Sequence, residues 1–392
     1  MNPALLFPEV QEFINQNLRN DISKILFRKS PFNDVSPQEL AGQIESKSKS
    51  EKKLPTWFNT PGIYYPPKVS IEQASSEIAA RYKSRLIKGN KILDITGGFG
   101  VDSFSFSKTA REVIHCEQNP ELSKIAKHNA DVLGLTNIRF IQQDGISYLK
   151  RTDEEFDTIY IDPSRRVNSQ KVFKLIDCEP DVVSNLDLLL EKSPRIVIKT
   201  SPLLDIQAGL IELRQVGNIQ VISFRNDCKE LLWILERDTA ADDDVQITCI
   251  TLDPEKQYTF SLNEERNFKI NSYSAPLNYI YEPDVALLKS GCFKLITRDF
   301  NVQKLHKNTH LYTSEVLFDE FMGRRFRLKA QWLYKEFRSL IPVLKANIIC
   351  RNFPLSVDEV KRKSKLNDGG EEYLIFTTGP SDELLVLNCE RL

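Results

Sequence analysis

The sequence predicts an α/β protein: a Rossmann-like, seven-stranded sheet, mostly parallel, that ends in an antiparallel edge hairpin. A helical segment precedes it and an α+β region follows. Two observations carry this reading. Between residues 91 and 201, five short apolar runs alternate with helical stretches, which implies right-handed crossovers and a parallel sheet. The next two runs, 219–226 and 230–237, lie only three residues apart, too close for a crossover, so they pair antiparallel.

In chain order, residues 1–75 form an N-terminal helical region. VQEFINQNL and ISKILFRK carry apolar residues near helical spacing, and PQELAGQIESKSKSEKK reads as a polar helix. LPTWFNTPGIYYPPKVS is a proline-rich turn segment whose aromatics, Trp57, Tyr64 and Tyr65, read as packing groups. Ser70 and Gln73 form a capping box for one helix through Leu86, whose Gln73 and Lys83 are placed to cover the sheet's edge from above. The sheet domain occupies 76–262, with runs KILDI, EVIHCE, IRFIQQD, FDTIYID, RIVIKTS, IQVISFRN and ELLWILER. Residues 263–320 and 321–392 form two further small α+β units. A helix is expected near EPDVALLKSG, strands near KLITRDF and HLYTSEVLF, a helix at KAQWLYKEFRSLIP and a turn at NDGG.

Composition narrows the function. The apolar share is 41% and no window approaches 18 uncharged apolar residues, so no membrane span is expected. The N-terminus lacks the basic and apolar stretches of a signal peptide. Seven scattered cysteines without a CxxC pair suit a reducing cytoplasm, and four dispersed histidines offer no metal site. Net charge is −1, yet residues 321–366 hold 12 Lys/Arg against 3 Asp/Glu. That segment can follow a phosphate backbone, or can be a solvated face balanced by the acidic tail at 367–392.

The chemistry concentrates at LDITGGFGVDS, where the first strand must turn into a helix. Gly97, Gly98 and Gly100 let the backbone bend and approach a ligand. The motif lacks a dinucleotide loop's third glycine and sets Asp102 near the helix start, where a pyrophosphate would be repelled. S-adenosylmethionine carries an ammonium and a sulfonium and no phosphate, so an acid-rimmed loop suits it. Asp94 can face its ammonium, directly or through water. Glu117, 23 residues on and beside Gln118, can accept both ribose hydroxyls. Asp144, before Gly145, is placed for the adenine amino group. Thr96 opens the loop. Three acids closing three successive strands are far more specific than one.

The fourth strand ends Ile161-Asp162-Pro163-Ser164-Arg165-Arg166, and here the sequence resembles class I methyltransferases. IDPSRR stands in the place of the acidic-Pro-Pro-aromatic motif of enzymes that methylate exocyclic amino groups. The resemblance implies that Asp162, Pro163, Ser164 and Arg165 meet the acceptor. Ser164 and Arg165 depart from the motif's second proline and its aromatic, so an amino acceptor does not follow, and Arg165 and Arg166 can instead clamp a phosphate or carboxylate. Lys199, on the same rim, can orient substrate or pair with an acid. Further stretches, EQASSEIAARYKS, IVIKTSPLLDI, RNDCKELLW, YIYEPDVALLKSG, FMGRRFRL and NIICRNFPLSVDEVKRKSKLNDGGEEYLIF, extend the similarity over residues 40–392, to bacterial methyltransferases with a ferredoxin-like and a THUMP-like C-terminal region. That resemblance implies an RNA substrate, with Arg324 and Arg325 as phosphate contacts. A protein or small-molecule methyltransferase, and a non-catalytic RNA-binding protein that keeps the fold, are the competing readings.

Overall fold

In a computed structural model the chain is described over residues 1–165, 174–240, 244–340 and 345–392. It divides into two compact units, one of residues 1–216 and 233–241, the other of residues 217–232 and 242–392.

The first unit begins with six helices: α1 (Pro8–Gln16), α2 (Ile22–Leu26), α3 (Pro37–Lys53), α4 (Pro55–Asn59), α5 (Lys68–Gln73) and α6 (Glu77–Ser84). Ser36 and Glu39 form a capping box at α3. The proline-rich aromatics are core: Trp57, Tyr64 and Tyr65 are buried, and Trp57 packs edge-on against Phe104 with ring centroids 4.4 Å apart. The expected single helix from Ser70 is two. Ser70 lies inside α5, and α6 starts afresh with Ser76 as its N-cap. The break frees Ser75, whose hydroxyl donates to Asp102 and accepts from Lys83. Internal polar bonding thus overrides helical continuity.

The sheet follows as β1 (Lys91–Asp94), α7 (Val101–Ser107), β2 (Glu112–Cys116), α8 (Pro120–Val132), β3 (Ile138–Ile141), α9 (Gly145–Arg151), β4 (Thr158–Ile161), α10 (Leu186–Lys192), β5 (Arg195–Thr200) and α11 (Ile206–Glu212). β5-β4-β1-β2-β3 are adjacent and all parallel. The inner strands' side chains, among them Ile92, Val113, Tyr160 and Val197, are mostly buried, as a sheet covered on both faces requires, while those of the edge strand β3 are half-buried. β1 lies at the centre, where the strand order reverses, and its C-terminal end is the topological switch point.

The hairpin is β6 (Val216–Phe224) and β7 (Asp227–Glu236), joined by Arg225 and Asn226, both left-handed at φ 52° and 59°. Two left-handed residues make the turn whose twist matches the strands. In the second unit β6 pairs in parallel with β8 (Gln246–Leu252), which pairs antiparallel with β9 (Glu255–Ser261). The hairpin is therefore not the last element of its sheet.

The rest of the second unit comprises α12 (Leu262–Asn267), β10 (Tyr279–Pro283), α13 (Val285–Ser290), α14 (Leu295–Asp299), β11 (Gln303–His306), β12 (Thr309–Ser314), β13 (Gly323–Leu333), α15 (Tyr334–Leu340), β14 (Lys345–Arg351), α16 (Val357–Ser364), β15 (Asn367–Thr378) and β16 (Leu384–Arg391). One seven-stranded sheet, β11-β12-β10-β13-β16-β15-β14, runs through it. Three local expectations change here. KLITRDF is helix, because the Glu265 carboxylate accepts the N–H groups of Phe293, Lys294 and Leu295 and starts α14. KAQWL is strand, its alternation of exposed Arg327, Lys329 and Gln331 having the period of two. NDGG lies inside β15, where Gly369 and Gly370 take φ of 101° and 85° at a register shift opposite Ala346 and Asn347.

Candidate functional site

The site is the turn from β1 into α7, together with the carboxyl ends of β2, β3, β4 and β5. Asp94 ends β1 and is 1% exposed. It accepts from the Thr96 N–H at 3.1 Å and the Ser103 hydroxyl at 2.6 Å, so it holds both sides of the loop. Burial, foremost, and then the nearby Asp102 and Asp162 push its pKa up to about 7. A carboxyl in that state gains if a positive group settles nearby.

The loop has no room to be other than it is. A Cβ on Gly97 would stand 2.3 Å from Nε2 of His115, whose ring is fully buried beneath the turn. Burial lowers the His115 pKa to about 4, so the ring is neutral at ordinary pH. Gly98 and Gly100 take φ of 55° and 88°. A Cβ on Gly145 would meet Ile95 at 2.4 Å, so α9 can approach β1 only through a glycine.

The acids expected at the rim take distinct places. Glu117, just past β2, accepts the Gly98 N–H at 2.9 Å with one oxygen and the Asn119 N–H at 2.7 Å with the other. It ties the loop to the second strand and keeps lone pairs for a ligand hydroxyl. Gln118 beside it is exposed. Asp144 caps α9 through the Ser147 N–H at 2.7 Å. Asp102 instead turns inward. It accepts from Ser75 at 2.8 Å and Tyr160 at 3.1 Å, and pairs with the fully buried Lys83 at 2.9 Å. Burial would raise the Asp102 pKa, but Lys83 and Lys199 outweigh it and hold this carboxyl below its ordinary range. Lys83 thus lies beneath the loop, not over its mouth. Residue type alone did not reveal this pair, nor His115. The available signal was a lysine on the face of a helix that also carries Ala79 and Ala80, where only an acid partner makes burial tolerable.

Asp162, just past β4, is one-third exposed. Its N–H donates to the Thr96 hydroxyl at 2.7 Å, joining the fourth strand to the loop. Its carboxylate forms an ion pair with Lys199 on β5. Pro163 is buried, and Ser164 pairs with Glu179 in a two-residue ladder that Arg165 shares with Cys178. Arg166 lies outside the described residues.

In the second unit both C-terminal arginines are engaged. Arg324 and Arg351 pair with the buried Glu282, Arg351 at 2.6 Å, and Arg325 pairs with Asp319 at 2.6 Å. Lys329 and Lys361 are also paired. Arg362 and Lys363 of α16, and Lys365 beyond it, are exposed and form no ion pair among the described residues.

Comparison with known proteins gives this arrangement a family. Residues 66–219 match the family described as conserved hypothetical protein 95, 279–321 a ferredoxin-like domain, and 323–391 the THUMP domain-like family. Curated relatives include an uncharacterized S-adenosylmethionine-dependent methyltransferase of Mycobacterium tuberculosis, 27% identical over 42% of this chain and 44% of its own. An uncharacterized RNA methyltransferase of Thermotoga maritima is 30% identical over 30% of this chain and 29% of its own. Ribosomal RNA small subunit methyltransferase J of Coxiella burnetii is 25% identical over 29% of this chain and 50% of its own. The chain spans between about a third and a half of the length of these relatives. A crystal structure of a protein from Porphyromonas gingivalis W83, assigned as a methyltransferase, is 32% identical, covers 99% of this chain and 98% of its own, and superposes with a TM-score of 0.88. With that likeness over nearly its whole length, this chain belongs to the same family, class I methyltransferases with a C-terminal THUMP-like domain.

Proposed function

We propose that the protein transfers a methyl group from S-adenosylmethionine to RNA. The observation that carries the donor is the loop of Thr96–Gly100 with Asp94 behind it and Glu117 and Asp144 at its rim. The acids fit a cationic, phosphate-free donor: Glu117 for the ribose hydroxyls, Asp144 for the adenine amino group, Asp94 for the field at the ammonium. Asp102 anchors the loop through Lys83. The donor brings an activated methyl group, so the protein's task is to place the acceptor in line and keep water out. Asp162, fixed to the loop through Thr96, stands where the acceptor must lie.

RNA as acceptor is supported by the names of the Thermotoga and Coxiella relatives, the match to the THUMP domain-like family, and the exposed cations Arg362, Lys363 and Lys365, which form no ion pair among the described residues. Arg324 and Arg325, already held by acids, can reach a phosphate only by sharing. The reading is tested by labelled methyl transfer from S-adenosylmethionine to separate pools of total RNA, protein extract and small metabolites. Label in RNA, lost in Asp162→Ala while donor affinity persists, is expected. Label in protein or metabolites alone rejects RNA, and donor binding without any transfer rejects the enzyme.

A further inference from the structure

Resting on that reading, we propose that the acceptor atom is a hydroxyl oxygen, in RNA a ribose 2′-hydroxyl, and that Lys199 stabilises the charge developing on it while Asp162 takes its proton. The juxtaposition behind this is the ion pair of the Asp162 carboxylate with the Lys199 ammonium at the adjoining ends of β4 and β5. Asp162 is fixed in place by its own N–H on Thr96, at 2.7 Å. Lys199 is nearly buried, with 13% of its side chain exposed, so its charge is poorly screened.

The two acceptor types place opposite demands on this pair. A neutral amino nitrogen becomes positive as the methyl arrives. A bare carboxylate favours that change, but a carboxylate already joined to an ammonium does not, and the ammonium opposes it. A hydroxyl oxygen must shed a proton and gains negative charge on the way, which the same ammonium favours. In the step itself an oxygen lone pair forms the new O–CH3 bond, the S–CH3 bond breaks, and its electron pair stays on sulfur, leaving a neutral thioether. The hydroxyl proton goes to the Asp162 carboxylate and from there to water. Among the described residues the other charged groups near the pair are Asp94, Asp102 and Lys83, and Lys83 is committed to Asp102 at 2.9 Å. Lys199 is thus the ammonium joined to the acceptor-side acid. The sequence agrees, since Ser164 and Arg165 replace the proline and aromatic that would receive a flat base bearing an amino group.

The test uses the full-length protein, labelled S-adenosylmethionine and unmodified RNA transcripts, followed by alkaline digestion. A 2′-O-methyl group protects the adjoining phosphodiester, so label is expected in alkali-stable dinucleotides. Label in mononucleotides, on a base, overturns the hydroxyl proposal and leaves the RNA reading standing. Absence of label from RNA overturns both. Lys199→Met is expected to lower kcat about 100-fold. It should leave RNA affinity, and calorimetric binding of S-adenosylhomocysteine, within about threefold, and move the pH–rate profile to higher pH. Lys199→Arg, which keeps the charge, should restore much of the rate. A kcat for Lys199→Met within about threefold of wild type, or an unmoved pH profile, overturns the role of Lys199. If Lys199→Met does not fold, Lys199→Gln takes its place, and the digestion of the wild-type product decides the acceptor regardless.

Discussion

Asp94→Asn is expected to stabilise the ligand-free protein at pH 8 while weakening its hold on S-adenosylmethionine. The Asp94 carboxyl is 1% exposed, and burial, followed by repulsion from Asp102 and Asp162, carries its pKa from 3.8 to about 7. That displacement corresponds to about 4 kcal/mol, at about 1.4 kcal/mol for each tenfold change in proton affinity. It is an upper figure, because the surroundings relax around a buried charge. The folded state binds this proton more tightly than the unfolded chain does. The group's contribution is therefore fully present below pH 3.8 and is lost as pH rises through about 7. Asparagine removes the charge and keeps the bonds: the Thr96 N–H still finds an amide oxygen, and the Ser103 hydroxyl can accept where it now donates. Differential scanning calorimetry of both proteins across pH 4–8 isolates the effect, since other carboxylates cancel in the difference. The variant's thermal midpoint should exceed the wild type's by several degrees at pH 8 and converge on it near pH 4, on the scale of about 2–4 °C per kcal/mol. Saturating S-adenosylmethionine should raise the wild type more than the variant. A midpoint difference that is flat with pH, or a wild type that is the more stable at pH 8, would refute the view that Asp94 is poised for a cation.

Glu117→Gln keeps one oxygen for the Gly98 N–H but turns an amide nitrogen toward the Asn119 N–H, so it should lower stability by about 1 kcal/mol, and the loss of a charged acceptor should weaken donor affinity about 10- to 100-fold in calorimetry. Gly97→Ala should cost about 1–3 kcal/mol of stability and most donor binding, its methyl group falling 2.3 Å from the His115 ring; full affinity in titration would mean that the ring swings away freely. Glu282→Gln should destabilise the second unit by about 2–3 kcal/mol in urea unfolding, less than a fully enclosed pair because both Arg324 and Arg351 reach solvent.

The parts of the fold legible in the sequence are those fixed by short-range pattern. Five apolar runs spaced by helices can close only as parallel strands, and the three-residue gap after Asn226 can only be a hairpin. Distant partners decided what stayed hidden. Nothing in KLITRDF announces that Glu265, some thirty residues earlier, will cap a helix there. Nothing in the hairpin itself tells whether β8 will add beside it. The break before Ser76 likewise follows from Asp102, which needs the Ser75 hydroxyl that a continuous helix would have turned elsewhere.

The site divides in the same way. Acids at strand ends are readable because strand ends converge on one edge, and Glu117, Asp144 and Asp162 all lie there. How each acid is used depends on its partners. Asp102 resembles a rim acid by position, yet it is consumed by Lys83, Ser75 and Tyr160. That internal pairing has a consequence for the ligand. With Asp102 neutralised beneath the turn, the charge left facing the loop is that of Asp94 from behind and Glu117 from the side, both bonded to loop N–H groups. The Thr96 and Gly98 amides, which in a nucleotide site would be free to point at phosphate, are here turned on the protein's own carboxylates, and those of Gly97 and Gly100 on backbone carbonyls. A phosphate would have to displace Glu117 from Gly98 and then lie against two acids, whereas a sulfonium and an ammonium need displace nothing. On the proposed function, a preference for a positively charged donor follows from where the Thr96 and Gly98 donors point as much as from the count of acids around them.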